Sequence, residues 1–233
     1  MPNTIQTIPL INLALAFIPV LATIAILFRW SLNSGTALYA VARMLVQLLL
    51  IGYVLTYIFE SDSAWVVIAV LSVMLFVASW IALRPIHENR QQLYAKALLA
   101  IAAGGVSTLI IMVVSVLDLP IWYEPRFVIP LAGMIFSNSM NTVSLAGERF
   151  QAEFARGAGY NEARRAALNA ALIPMINSLF AVGLVSLPGM MTGQILSGIE
   201  PLVAVRYQIM VMCMVFGSGG IAAACFLVQL RPK

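Results

Sequence analysis

Charge is scarce in this chain. Of its 233 residues only 9% are Asp, Glu, Lys or Arg, whereas 62% are hydrophobic. A balance so far from the usual quarter of charged residues excludes a water-soluble fold. Histidine is limited to His87 and cysteine to Cys213 and Cys225. Borderline metals are held chiefly by His, Cys and carboxylates. His87 falls in a connection between apolar runs and no acidic residue sits at mid-membrane depth, so no tight metal site is encoded and any metal ligands are unknown. The two cysteines stand twelve helical positions apart, about 18 Å, beyond disulfide reach, and read as packing residues. Only two lysines occur, Lys96 and Lys233. A P-loop needs a lysine within G-x-x-x-x-G-K-[ST], and neither lysine stands in one, which excludes ATP binding by that route. No Lys or Arg precedes the first apolar run, so the basic n-region of a cleaved signal peptide is missing and the run is expected to be a retained helix.

Long apolar runs are abundant instead. About 20 helical residues cross the hydrocarbon of a bilayer, and the runs lack the alternating polarity of a β-barrel. The expected class is all-α: a polytopic integral membrane protein with seven transmembrane helices at 8–28, 37–59, 64–83, 97–117, 127–146, 170–187 and 207–229. Basic residues give the orientation. Arg29, Arg43, Arg84, Arg90, Lys96, Arg149, Arg156, Arg164, Arg165, Arg231 and Lys233 would fall on one side, leaving only Arg126 and Arg206 on the other. Positively charged loops stay in the cytoplasm, so the N-terminus is expected outside and the C-terminus in the cytoplasm. A sequence pI near 9.3 reflects this topology and gives no reason to expect nucleic acid.

The scarce charge is also unevenly placed. "GERFQAEFARGAGYNEARRA" (147–166) holds seven of the 22 charged residues. It belongs to the longest cytoplasmic connection, 147–169. Phe150 and Phe154 are one helical turn apart, as are Arg149 and Glu153, and Glu162 and Arg165 are spaced as an i, i+3 pair. Gly157-Ala158-Gly159 divides the segment into an expected helix–turn–helix near the membrane surface. One reading is an amphipathic element resting on lipid headgroups. The other is a docking site for a cytosolic protein, because Glu153, Ala155, Gly159 and Pro174 resemble the E-A-A…G…P pattern of ABC-transporter permeases. In those proteins this stretch is the coupling helix that enters a cleft of the ATPase. The match departs at Phe154, where the pattern has alanine, and in a Gly159–Pro174 interval two residues too long.

Polar side chains at membrane depth are functional candidates, though they also hold helices together. In the fifth span Met134, Asn138 and Asn141 share one face, with Ser137, Asn141 and Ser144 beside it; packing and the lining of a path are both open. Arg43 and Gln47 form a pair near the cytoplasmic entry of the second span, where Arg43 can snorkel to headgroups. Asn177 and Ser178 follow Pro174, which removes a backbone donor and is expected to kink the sixth span. Met210 and Met214 are one turn apart in the seventh span, where Gly217, Gly219 and Gly220 permit close helix contact. Thioethers bind soft ions such as Cu(I), but twelve methionines in so apolar a chain read first as packing. The outer loop 187–204, beginning "LPGMMTGQILSGIEP", is apolar enough to dip toward the membrane. Its Met190, Met191 and Gln194 are candidates for an outer gate.

The stretch "ALIPMINSLFAVGLVSLPGMMTGQILSGIEPLVAVRYQIMV" (171–211) strongly resembles the Fet-type ABC transporter permease family, whose relatives include plant aluminium-tolerance permeases. "ARMLVQLLLIGYVLTYIF" (42–59) and "IPLAGMIFSNSMN" (129–141) resemble it in the same order over nearly the whole chain. The 147–169 connection is shorter than the family's. The resemblance implies a single permease domain spanning 1–233 in the cell inner membrane, paired as a homodimer with two cytosolic ABC ATPase subunits and exporting iron or another metal ion. It implies no cofactor on this chain, with ATP and magnesium on the partner. Arg149, Glu153, Phe154, Arg156, Gly159, Arg164 and Arg165 would then couple to the ATPase, and Met134, Asn138, Asn141, Ser144, Gln47 and Asn177 would line the path. A secondary transporter of a small solute is the alternative, but it calls for an acidic residue at mid-depth. A non-transporting membrane scaffold would explain the docking segment alone. An enzyme finds no nucleophile–base pair here.

Overall fold

A computed structural model describes residues 8–61, 63–86 and 90–231. Every regular element among them is helical, apart from one isolated bridge between Val182 and Ser186. The chain divides into two units, Met1–Glu60 and Ser61–Lys233. The first holds α1 (Leu10–Leu15), α2 (Phe17–Arg29) and α3 (Ser34–Phe59). Asn33 caps α3, its Oδ1 accepting from the Thr36 N–H at 3.0 Å, as expected of Asn ahead of a helix. Among the described residues of these helices only Ile58 is buried.

The second unit holds α4 (Ala64–Ala82), α5 (Arg90–Ile110) running into a π-helix (Ile111–Val116), α6 (Pro125–Ala155), α7 (Tyr160–Ala181), α8 (Gly189–Leu196) and α9 (Pro201–Gln229). Both α6 and α9 begin at Glu-Pro, with Pro125 and Pro201 where the missing N–H costs nothing. The core lies where α5, α6 and α9 pack together, around Ile101, Ile135, Met214 and Phe226. Small residues let these helices close up. A Cβ on Gly104 would stand 2.5 Å from the Ser218 carbonyl oxygen and 2.7 Å from the Ala222 nitrogen. One on Gly219 would meet Thr142 Oγ1 at 2.8 Å. Gly219 therefore serves contact within the chain.

Among the described residues five helical segments, not seven, are both long and apolar enough to cross a membrane: Leu10–Arg29, Ser34–Phe59, Ala64–Ala82, Arg90–Val116 and Pro201–Gln229. The other two expected spans are present as α6 and α7, and both are long. Ser137, Asn138, Ser139 and Asn141 interrupt the apolar run of α6, and Asn161, Glu162, Arg164 and Arg165 occupy the first turns of α7. The sixth expected span ends at Ala181 rather than Leu187, because Gly183 takes a positive φ of 82° and turns the chain. The helix continues through Pro174. His87 and Lys233 lie outside the described residues.

Candidate functional site

The 147–169 segment is a helix–turn–helix, but its arms are the ends of α6 and α7 rather than separate helices. The turn ends α6 in a Schellman arrangement: Gly157 N–H donates to the Phe154 carbonyl at 3.0 Å and Ala158 N–H to that of Glu153 at 3.2 Å. That closure needs a left-handed residue, and Gly157 has φ 90°. So short a turn makes α6 and α7 antiparallel neighbours. Ala163, Ala167 and Ala171, one turn apart along α7, pack with Ala146 and Phe150 of α6 and Ala223 and Leu227 of α9. Tyr160 closes the joint by donating its hydroxyl to the Leu227 carbonyl at 3.1 Å.

The charged rim of this joint is partly self-satisfied. Glu153 pairs with Arg149 at 2.5 Å and with Arg156 at 3.8 Å. Arg164 lies 5.4 Å from the Tyr160 ring centroid. The expected Glu162–Arg165 ion pair does not form; both side chains face solvent along an open hollow on α7. Phe150 stacks on Phe154 with centroids 5.7 Å apart. Only Phe150 is buried; Phe154 is 48% exposed and borders a hollow shared with Pro85 and Gln151. Gly159 caps the start of α7.

At the other end of α6, its start lines a cavity of about 550 Å³ together with residues of α8 and α9. Methionines from all three helices line it: Met134, Met190 and Met210. Arg126, Gln194 and Tyr207 supply its polar groups, and Leu117, Phe127 and Val203 part of its apolar wall. Gln194 Oε1 is closed off from solvent and has no hydrogen-bond partner. The π-helix sits beside it: Leu117 N–H donates to the Met112 carbonyl at 2.9 Å, an i to i−5 bond, and Asp118 follows at φ 46°. π-turns and left-handed non-glycine residues gather near functional sites.

Two groups of expected residues meet here and others do not. Met134, expected on the path, and Met190 and Gln194, expected at the gate, share the cavity. Met191 is not among its lining residues, and Met214, one turn beyond Met210 on α9, is fully buried in the core. Asn138 Nδ2 donates to the Met134 carbonyl at 2.9 Å, which ties one of its amide hydrogens to its own helix. Ser137 and Asn141 are exposed and Ser144 is half-buried. Gln47 on α3 and Asn177 and Ser178 on α7 are likewise exposed. Two buried polar atoms had not been expected: Ser139 Oγ and Gln208 Oε1 both lack hydrogen-bond partners. A polar residue inside an apolar run is the signal that marks each.

Five helical segments long and apolar enough to cross a bilayer, among the described residues, define a multi-pass helical membrane protein. Residues 10–232 match the uncharacterised protein family UPF0014, and the chain belongs to that family. It is 39% identical to UPF0014 membrane protein slr1647 of Synechocystis, over 83% of this chain and 81% of that protein. It is 37% identical to the Escherichia coli protein named "Probable iron export permease protein FetB", over 94% and 90%. Protein ALUMINUM SENSITIVE 3 of Arabidopsis thaliana is 30% identical over 88% and 80%. No solved structure matches the chain.

Proposed function

We propose that this chain is the membrane permease subunit of an ABC transporter that exports a metal ion, driven by a separate cytosolic ATPase. Iron is the cargo if this chain shares the one in the name of FetB. The elbow between α6 and α7 carries the reading. Its alanine-packed joint and Tyr160 bond make a stiff projection, with Phe154, Arg156 and Arg165 presented outward. A partner residue entering the hollow beside Phe154 would push on α6 directly. ATP and magnesium belong to the partner, because neither lysine of this chain stands in a P-loop.

In this reading residues 1–233 act as one permease domain in the inner membrane. α6 and α7 cross as well, making seven crossings with the N-terminus outside and the C-terminus cytoplasmic. Their lower apolarity is tolerated where their polar faces meet protein or water rather than lipid. Exposed Ser137 and Asn141 support a homodimer, since polar side chains facing hydrocarbon are costly. A second copy over that face would enclose a path of amides and hydroxyls that also draws on Asn138, Ser144 and Asn177. Vesicles holding the chain and its co-purified ATPase should move one metal of a panel when ATP is added. Replacing Asn138 and Asn141 with leucine should abolish that movement while assembly persists. ATP-driven transport at full rate in the double variant would return both residues to packing, and a complex that hydrolyses no ATP would end the ABC reading.

A further inference from the structure

The cavity at the Pro125 end of α6 is graded from charged to apolar. Arg126 is the second residue of α6, and Met134 stands eight residues further along, about 12 Å deeper. On α9 the order runs from Val203 through Tyr207 to Met210 in the same sense. Arg126 forms no ion pair among the described residues, although Glu124 is two positions away. Gln194 Oε1 is an acceptor without a donor. Phe127, Ile199 and Val203, all more than a third exposed, leave the apolar wall open at the side.

A bare soft cation fits this arrangement poorly, despite three thioethers. The space far exceeds a coordination sphere, and a guanidinium at the rim repels any cation. An anionic amphiphile fits on every count: a positive group for its head, an acceptor for its hydroxyl, and adaptable methionines for a chain of variable shape. We propose that the cavity is a site for an acidic phospholipid. The phosphate pairs with Arg126, a headgroup hydroxyl donates to Gln194 Oε1, and the upper part of one acyl chain lies along Met190, Met134 and Met210. The bilayer around a multi-pass protein supplies such a molecule from the side on which the wall is open.

The test is to reconstitute the full chain in equal amounts of phosphatidylglycerol and phosphatidylcholine, strip it with mild detergent, and count retained lipid by native mass spectrometry. The expected result is about one phosphatidylglycerol per chain, at least tenfold over phosphatidylcholine. Arg126→Gln should reduce the preference to parity and Arg126→Lys should keep most of it. Val203→Trp, which obstructs the wall with Arg126 intact, should also lose the lipid. Glycerol phosphate, a head without tails, should not displace it. Equal retention of the two lipids by the unaltered chain, or full preference in Arg126→Gln, would overturn the proposal. Displacement by glycerol phosphate would also overturn it, assigning the cavity to a soluble anion.

Discussion

The two ends of α6 are built on opposite plans. From Ala146 to Phe150 the helix is pressed against α7 and α9 through alanines, with a tyrosine hydroxyl pinning the joint. From Arg126 to Met134 the same helix walls an open cavity lined by long, flexible side chains. Small residues at fixed spacing bring backbones together and leave no slack, whereas methionines repack readily around what they touch. One helix thus combines a stiff end suited to receiving force with a yielding end suited to holding a molecule.

Enlarging a side chain to leucine in each region should separate the two plans most sharply. Ala167 has no exposed surface, so Ala167→Leu should force the joint apart and cost about 3 kcal/mol. Val203→Leu, at the cavity wall, should stay within about 0.5 kcal/mol. Thermal unfolding in detergent compares them, and similar losses would erase the contrast. Arg165→Glu leaves the joint untouched, since the side chain is exposed. If the elbow docks an ATPase as proposed, the substitution should reduce recovery of that ATPase about tenfold, roughly 1.4 kcal/mol, with an unchanged unfolding midpoint. Tyr160→Phe deletes the bond to the Leu227 carbonyl and should cost about 1 kcal/mol. The smallest effect belongs to Glu153→Gln: its pairs with Arg149 and Arg156 lie at a partly exposed rim, and their loss should cost about 0.5 kcal/mol or less, vanishing at high salt.

The stiff end was largely legible in the sequence and the yielding end was not. Phe150–Phe154 and Arg149–Glu153 are neighbours along one helix, so their spacing alone places them together. The break at Gly157 is equally local. What spacing could not convey is that the charged stretches prolong the spans; their polarity reads as a change of element, while the backbone simply continues. The cavity gathers residues from Leu117 to Met210, and no local pattern joins Met134 to Met190 or Arg126 to Gln194. The π-helix has no compositional signature, because it is a shift in hydrogen-bond register within an apolar run. Ser139 and Gln208 stand in apolar runs, and only the packing of α6 and α9 shows that their side-chain oxygens are buried without partners.

The central claim is that the stiff end of α6 meets a cytosolic engine, and its sidedness tests that most directly. A single cysteine at Arg165, on a C213S/C225S background, can be probed in intact cells with a membrane-impermeant maleimide. The account predicts no labelling until the membrane is permeabilised, and then full labelling unless the ATPase is bound. Labelling of intact cells would place the elbow outside and contradict the account.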